Sequence, residues 1–213
     1  MNTPRDPNPS TPATDRLSAA PAGLDTRGGG WRAALVLAAL SVPAFGLLYP
    51  GLGAALGGAL FPDQATGSLV ERDGVIVGSA LVAQPFSDPR YVVPRPSAAG
   101  FNPVGAAGSN LAVSNPTLRE RMAADAAAIT AREGITTAEL PVELISASGS
   151  GLDPHLSPAA VDVQVPRVAR ARGMDEATVR AIVRAHTEQP WLGVFGEPRV
   201  NVLALNLALD AAD

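Results

Sequence analysis

The stretch Ala33–Phe61, AALVLAALSVPAFGLLYPGLGAALGGALF, carries no charged side chain, and its reading decides the architecture. As a helix it would extend about 43 Å at 1.5 Å per residue. The hydrocarbon core of a bilayer is about 30 Å thick. In lipid every backbone N–H and C=O must be bonded within the segment, so helix is the predicted conformation. A buried core helix is the alternative, but soluble cores seldom hold so long an uncharged run. A cleaved secretory signal has about 7–15 apolar residues and then a small-residue cleavage site. This run is longer and leads into Pro62-Asp63-Gln64. It is therefore predicted to be one permanent transmembrane helix.

Two features set the run apart from a plain lipid-facing helix. Pro43 and Pro50 each remove a backbone donor and tend to kink a helix. Gly53 and Gly57 form Gly-x-x-x-Gly, with Ala54 and Gly58 beside them, a pattern that lets a second helix approach closely. Arg16, Arg27 and Arg32 lie on the N-terminal side, against Arg72 on the other. Positive-inside bias then places the N-terminus in the cytoplasm and the rest of the chain outside it.

Working outward, three regions are expected. Residues 1–30 are rich in Pro, Ala, Thr, Ser, Asp and Gly without apolar periodicity, and are predicted to be a disordered cytoplasmic tail. Residues 31–62 hold the span. Residues 63–213 are expected to form one mixed α/β extracytoplasmic domain, making the chain α+β in class. Within it, Ser68–Arg72 and Val75–Ala83 flank Asp73-Gly74, a hairpin signal. Tyr91-Val92-Val93 and Val142–Ala147 are predicted as strands, with residues 95–115 as a long loop. Asn115-Pro116 and Gly134 bound a predicted helix. Ser157-Pro158, Val165-Pro166 and Asp175 start three more helices, and Asn201–Leu209 is read as a last one.

Composition excludes several chemistries. The 213 residues include 16 Lys+Arg, all of them arginine, no cysteine and two histidines, with a net charge of -4. Without lysine there is no Walker A loop, Schiff-base lysine or phosphorylated Asp-Lys-Thr-Gly of a P-type pump. Without cysteine there is no disulfide framework or thiol nucleophile. Net acidity gives no reason to expect a nucleic-acid partner.

Chemistry-bearing residues concentrate in Ala147-Ser148-Gly149-Ser150-Gly151-Leu152-Asp153-Pro154-His155. A hydrolase using Ser150, Asp153 and His155 is one reading, although Gly149-Ser150-Gly151 lacks the Gly-x-Ser-x-Gly spacing of a nucleophile elbow. A tight turn feeding a helix, with Asp153 and Ser157 bonding backbone amides, is preferred. A metal site from Asp153, His155 and a distant carboxylate finds no supporting cluster. Arg167, Arg170, Arg172, Arg180 and Arg184 suit either a solvated helix face, which is preferred, or contact with an acidic partner, a phosphate group or anionic headgroups. His186, on the Val179, Ile182 and Val183 stripe, is expected to be a hydrogen-bonded core histidine.

An ordered series of motifs runs along the chain: Leu48-Tyr49-Pro50, Phe61–Leu69, Val77–Phe86, Arg95–Gly100, Gly108–Leu111, Ser146–His155, Gln164–Ala169, Gly196–Leu203 and Leu205-Asn206. Over roughly residues 35–210 these closely resemble the C-subunit (KdpC) family of the bacterial Kdp-type potassium-transporting P-type ATPase. The polar N-terminus is longer than that family leads one to expect. The resemblance implies a single-pass inner-membrane subunit without catalytic machinery of its own. Its implied partners are a potassium-channel-like subunit, a P-type ATPase subunit and membrane lipid. It implies an assembly role, described in the family as that of a catalytic chaperone raising the ATPase subunit's affinity for ATP. No tightly bound cofactor is expected, and ATP would be met only through the ATPase subunit. The residues expected to meet partners are Gly53 and Gly57 in the span, and Gly149, Ser150, Asp153, His155, Gln164 and Arg167 outside it. A generic adaptor on an unrelated partner is the remaining alternative.

Overall fold

A computed structural model describes residues 30–212. The tail expected over residues 1–30 lies, save for Gly30, outside the described residues. The apolar run is helical over Gly30–Leu60, with none of its most apolar stretch buried. It comprises α1 (Gly30–Pro43), a π-helical turn at Ala44–Leu48 and α2 (Tyr49–Leu60). The π turn answers Pro50. A proline at that position cannot donate to the carbonyl one α-turn back, and the Tyr49 N–H instead reaches Ala44 O.

The module that follows opens with α3 (Pro62–Ala65), then β1 (Leu69–Arg72) and β2 (Val75–Ser79). Asp73 and Gly74 both take positive φ (53° and 77°), as a two-residue hairpin turn matching strand twist requires. A bulge interrupts the pairing between Val70 and Glu71. After a long irregular stretch comes α4 (Pro116–Glu133), capped by the Asn115 side chain accepting from Thr117 N and closed by Gly134 at φ 71°.

Next come β3 (His155–Leu156), α5 (Pro158–Asp162), α6 (Val165–Arg172), α7 (Glu176–Ala185), β4 (Thr187–Glu188), β5 (Arg199–Asn201) and α8 (Val202–Asp210). The three short strands form an antiparallel sheet in the order β3-β5-β4. Its Leu156 and Val200 are buried with Val161, Val165 and Val168 from α5 and α6, Val179 and Val183 from α7, and Leu205 and Leu209 from α8. Ser157, Asp175 and Asn201 each accept from a backbone N–H at the start of α5, α7 and α8, holding donors that the first helical turn cannot satisfy itself.

Residues 84–96 lie against this core without regular secondary structure. The strand predicted at Tyr91–Val93 is absent because its partners are side chains. Val92, 1% exposed, donates to Asn206 Oδ1 (2.8 Å), and Asn206 Nδ2 donates back to Val92 O (2.9 Å). Val93 N–H donates to Gln164 Oε1 (2.9 Å), and Gln164 Nε2 donates to Val93 O (3.1 Å) and to Ala160 O (3.1 Å). Each amide thus bonds both backbone groups of one strap residue, as a neighbouring strand would. Val142–Ala147, the second predicted strand, contains a 3-10 turn at Val142–Leu144. Its backbone bonds are local, Leu144 N to Pro141 O and Ile145 N to Val142 O, while Val142 points outward and Leu144 is buried.

Replacing Asn206 with leucine, of similar shape, leaves the buried Val92 N–H and C=O without partners. The expected cost is about 2–6 kcal/mol at roughly 1–3 kcal/mol for each of the two orphaned groups. Denaturant unfolding of the full chain in mild detergent should show this as a lower midpoint with an unchanged slope.

Candidate functional site

The motif-dense loop at residues 146–155 sits where two irregular segments meet. Ser148 N–H donates to Pro96 O, Ala107 N–H to Ser150 O and Ala83 N–H to Leu152 O. The Ser97 hydroxyl donates to Gly151 O at 2.6 Å. Gly151 has φ +69°, and a Cβ there would lie 2.7 Å from Ala99 Cβ and 2.8 Å from Ala107 O. A Cβ on Gly108 would come within 2.8 Å of Gly149 O. Glycine is therefore required on both sides of this contact by close backbone approach. Arg95 closes the joint, its guanidinium donating to Ser146 O and pairing with Asp153 at 3.0 Å.

The side chains that suggested hydrolysis are engaged separately. Ser150 Oγ accepts from Leu152 N (3.1 Å). Asp153 accepts from His155 N–H (3.0 Å) and pairs with Arg95. His155 Nδ1 is 3.7 Å from Asp153 Oδ1. Among the described residues no hydrogen bond links Ser150 to His155, so the three do not form a relay of the Ser–His–Asp kind. The preferred turn reading describes this loop, with Asp153 and Ser157 bonding backbone N–H groups as expected.

His155 instead faces a polar cleft with Glu143, Asp153, Ser157, Glu197 and Arg199. Glu143 takes both the N–H and the hydroxyl of Ser157, whose oxygen in turn caps α5 at Ala160 N. Burial lowers the His155 pKa, and the neighbouring Arg199 lowers it further, against smaller opposing effects of Glu188 and Asp153. Both effects favour the neutral imidazole. Among the described residues no group of three His, Cys, Asp or Glu is placed to hold a metal ion.

Gln164 has no exposed surface, and the Arg167 side chain is only 10% exposed. Arg167 donates to the buried Glu133 through Nε (2.9 Å), to Tyr91 O (3.0 Å) and to Gln164 Oε1 (3.0 Å). Both residues are occupied in holding the strap, whereas Gly149 and Ser150 are exposed. The expected solvated arginine face is accordingly divided. Arg167 and Arg172 point inward, Arg170 and Arg184 face solvent, and Arg180 pairs with Glu176 one turn away. His186 bonds Ile182 O through Nδ1 at 2.9 Å but is only half-buried at the end of α7, outside the central core. Gly53 and Gly57 each have open space where a Cβ would stand.

A second charged centre escaped sequence reading because its members are far apart in the chain. Asp210 receives Arg172 Nη2 (2.8 Å), Arg72 Nη1 (2.8 Å) and the Tyr91 hydroxyl (3.2 Å). Arg172 also lies over the Tyr91 ring, 5.2 Å from its centroid. Burial alone would raise the Asp210 pKa, but hydrogen bonds from Arg172, Arg72 and Tyr91 carry it below the usual carboxylate value. Also unanticipated was the hairpin tip between β4 and β5, where Trp191, Leu192, Val194 and Phe195 are 62–75% exposed. Its clustered aromatic and aliphatic side chains were the available signal.

The fold and site together define a small α+β module carried behind one helix long and apolar enough to cross a membrane, with most of its recognisable motifs occupied in internal joints. Over residues 31–211 the chain matches the family described as KdpC, the c chain of the K+-transporting ATPase, and it belongs to that family. The Potassium-transporting ATPase KdpC subunit of Xanthomonas oryzae pv. oryzae is 55% identical over 86% of this chain and 88% of that protein. The protein of the same name from Sorangium cellulosum is 53% identical over 85% of this chain and 97% of its own length. That of Cereibacter sphaeroides is 49% identical over 78% and 89%.

Two measurements check this account of the joints. Gly151→Ala should destabilise the module by about 1–3 kcal/mol, since it adds a methyl group in a left-handed conformation against Ala99. A thermal scan showing no loss of midpoint would contradict the close approach. Asp210 has a folded pKa below its unfolded one, so its contribution is present above about pH 4 and is lost as pH falls through the folded value. Asp210→Asn should therefore lower stability at neutral pH and flatten the acid limb of a stability-against-pH curve.

Proposed function

We propose that this chain is the accessory C subunit of a high-affinity potassium-uptake ATPase, tethering and stabilising a channel-like subunit and a P-type ATPase subunit. The observation that carries the reading is the extent of the family match, which runs from the apolar helix to the end of the module without leaving either out. The helix supplies a fully unburied apolar surface, and Gly53 and Gly57 leave a face on which another helix can pack closely. The exposed Gly149-Ser150 turn, with Asp153 and His155 beside it, is the proposed contact outside the lipid.

The arginine bias around the span supports a cytoplasmic N-terminus and an extracytoplasmic module. On that topology the module would cap the outer face of the channel-like subunit. An effect on the ATPase subunit's affinity for ATP would act through the assembled complex rather than by direct contact. One candidate span among the described residues cannot enclose a pore, which supports placing the ion pathway in the partner subunits.

The test is co-expression with the remaining subunits and purification through a tag on this chain. Gly53→Leu should reduce recovery of the complex in mild detergent several-fold while leaving the module's unfolding midpoint unchanged. Full recovery would remove the case for that helix face. A cysteine placed in the N-terminal tail should stay unlabelled by an impermeant thiol reagent on intact cells, and labelling there would reverse the topology.

A further inference from the structure

Eight consecutive residues, Trp191–Pro198, are exposed between two strands of the central sheet. Their tip is ordered by its own bonds. Trp191 N–H donates to Phe195 O (2.9 Å), and Phe195 N–H donates back to Trp191 O (3.0 Å). The two rings meet at 5.8 Å between centroids. The loop they enclose is Leu192-Gly193-Val194, with φ of 53° at Leu192 and 73° at Gly193. Glycine and asparagine suit positive φ, whereas leucine is strained there. The module therefore holds a large apolar residue in an unfavourable conformation with 72% of its surface exposed.

We infer that this hairpin tip is a docking plug that seats in an apolar socket on another protein subunit of the potassium-transporting ATPase. This inference rests on the accessory-subunit reading above. A preorganised cluster of Trp, Leu, Val and Phe matches the apolar centre of a protein interface, where aromatic anchors enter desolvated pockets. Around it, Glu188 pairs with Arg199 at 2.8 Å and Glu197 lies nearby, giving the polar rim such centres carry. The rim also argues against lipid as the occupant. Surface-binding segments pair their apolar face with lysine and arginine, whereas this rim sums to one net negative charge.

Leu192→Asn separates docking from folding, since asparagine suits the turn while removing the apolar tip. The full chain, wild type or variant, is co-expressed with the other ATPase subunits and purified in mild detergent. Wild-type chain should recover them. Leu192→Asn, and separately Trp191→Thr with Phe195→Thr, should recover at least about tenfold less. The Leu192→Asn unfolding midpoint should be equal or higher. Recovery by both variants at the wild-type level would overturn the plug and leave the accessory-subunit reading standing. Failure of the wild-type chain to recover any subunit would overturn both. In a Trp31→Phe background, Trp191 is the only tryptophan of the chain. Its quenching by brominated lipid in vesicles lacking the other subunits would assign the tip to the bilayer and overturn the protein socket.

Discussion

The module depends on two buried side-chain amides that stand in for a β-strand. Gln164 and Asn206 satisfy the backbone of Val93 and Val92, and without them the strap at residues 84–96 would present unpaired polar groups to an apolar core. An orphaned buried N–H or C=O costs more than an ordinary hydrogen bond contributes. The surrounding charges follow from this arrangement. Arg167 holds the Gln164 oxygen while bonding Glu133, and Arg172 and Tyr91 meet at Asp210 one turn beyond Asn206. The strap joins the β1–β2 hairpin to the loop at 146–155, so these amides also position the region proposed to meet a partner.

Glycine performs a related task at the loop. Gly151 and Gly108 admit a backbone-to-backbone approach that any side chain would block. Arg95 secures the same joint from the strap's end through Asp153 and Ser146. The Ser-Gly-Ser-Gly-Leu-Asp-Pro-His motif is thus largely a joint, with a small exposed rim at Gly149 and Ser150. In this chain the motif-dense loop is a place where segments fit closely, and Asp153 is held by that fit.

Local signals made much of the fold legible. Asn115, Ser157, Asp175 and Asn201 announced their helices, Asp73-Gly74 its hairpin, and the uncharged run its helix. Short-range chemistry governs each of these, so adjacent residues suffice to read them. What escaped depends on distant partners. Tyr91–Val93 has strand composition but bonds to side chains 71 and 114 residues away. Arg167 and Arg172 lie in a charge run that suggests solvent, yet carboxylates on other helices draw them inward. Gln164 was singled out as a motif residue, but nothing in its vicinity indicates that it is buried. At Trp191–Phe195 the limit was different: an apolar cluster near a sheet reads as core unless the sheet's edges are known.

The separation in sequence between the strap and its amide partners has a consequence for biogenesis. Asn206 and Asp210 lie 114 and 119 residues after the strap residues they hold, so the strap is made long before them. Contacts of such long range form late and carry a large loop-closure cost. A nascent chain leaving the ribosome would hold Val92 unsatisfied until α8 has emerged. Maturation is thereby tied to α8: a product cut short before that helix would expose its strap and be available to chaperones and proteases.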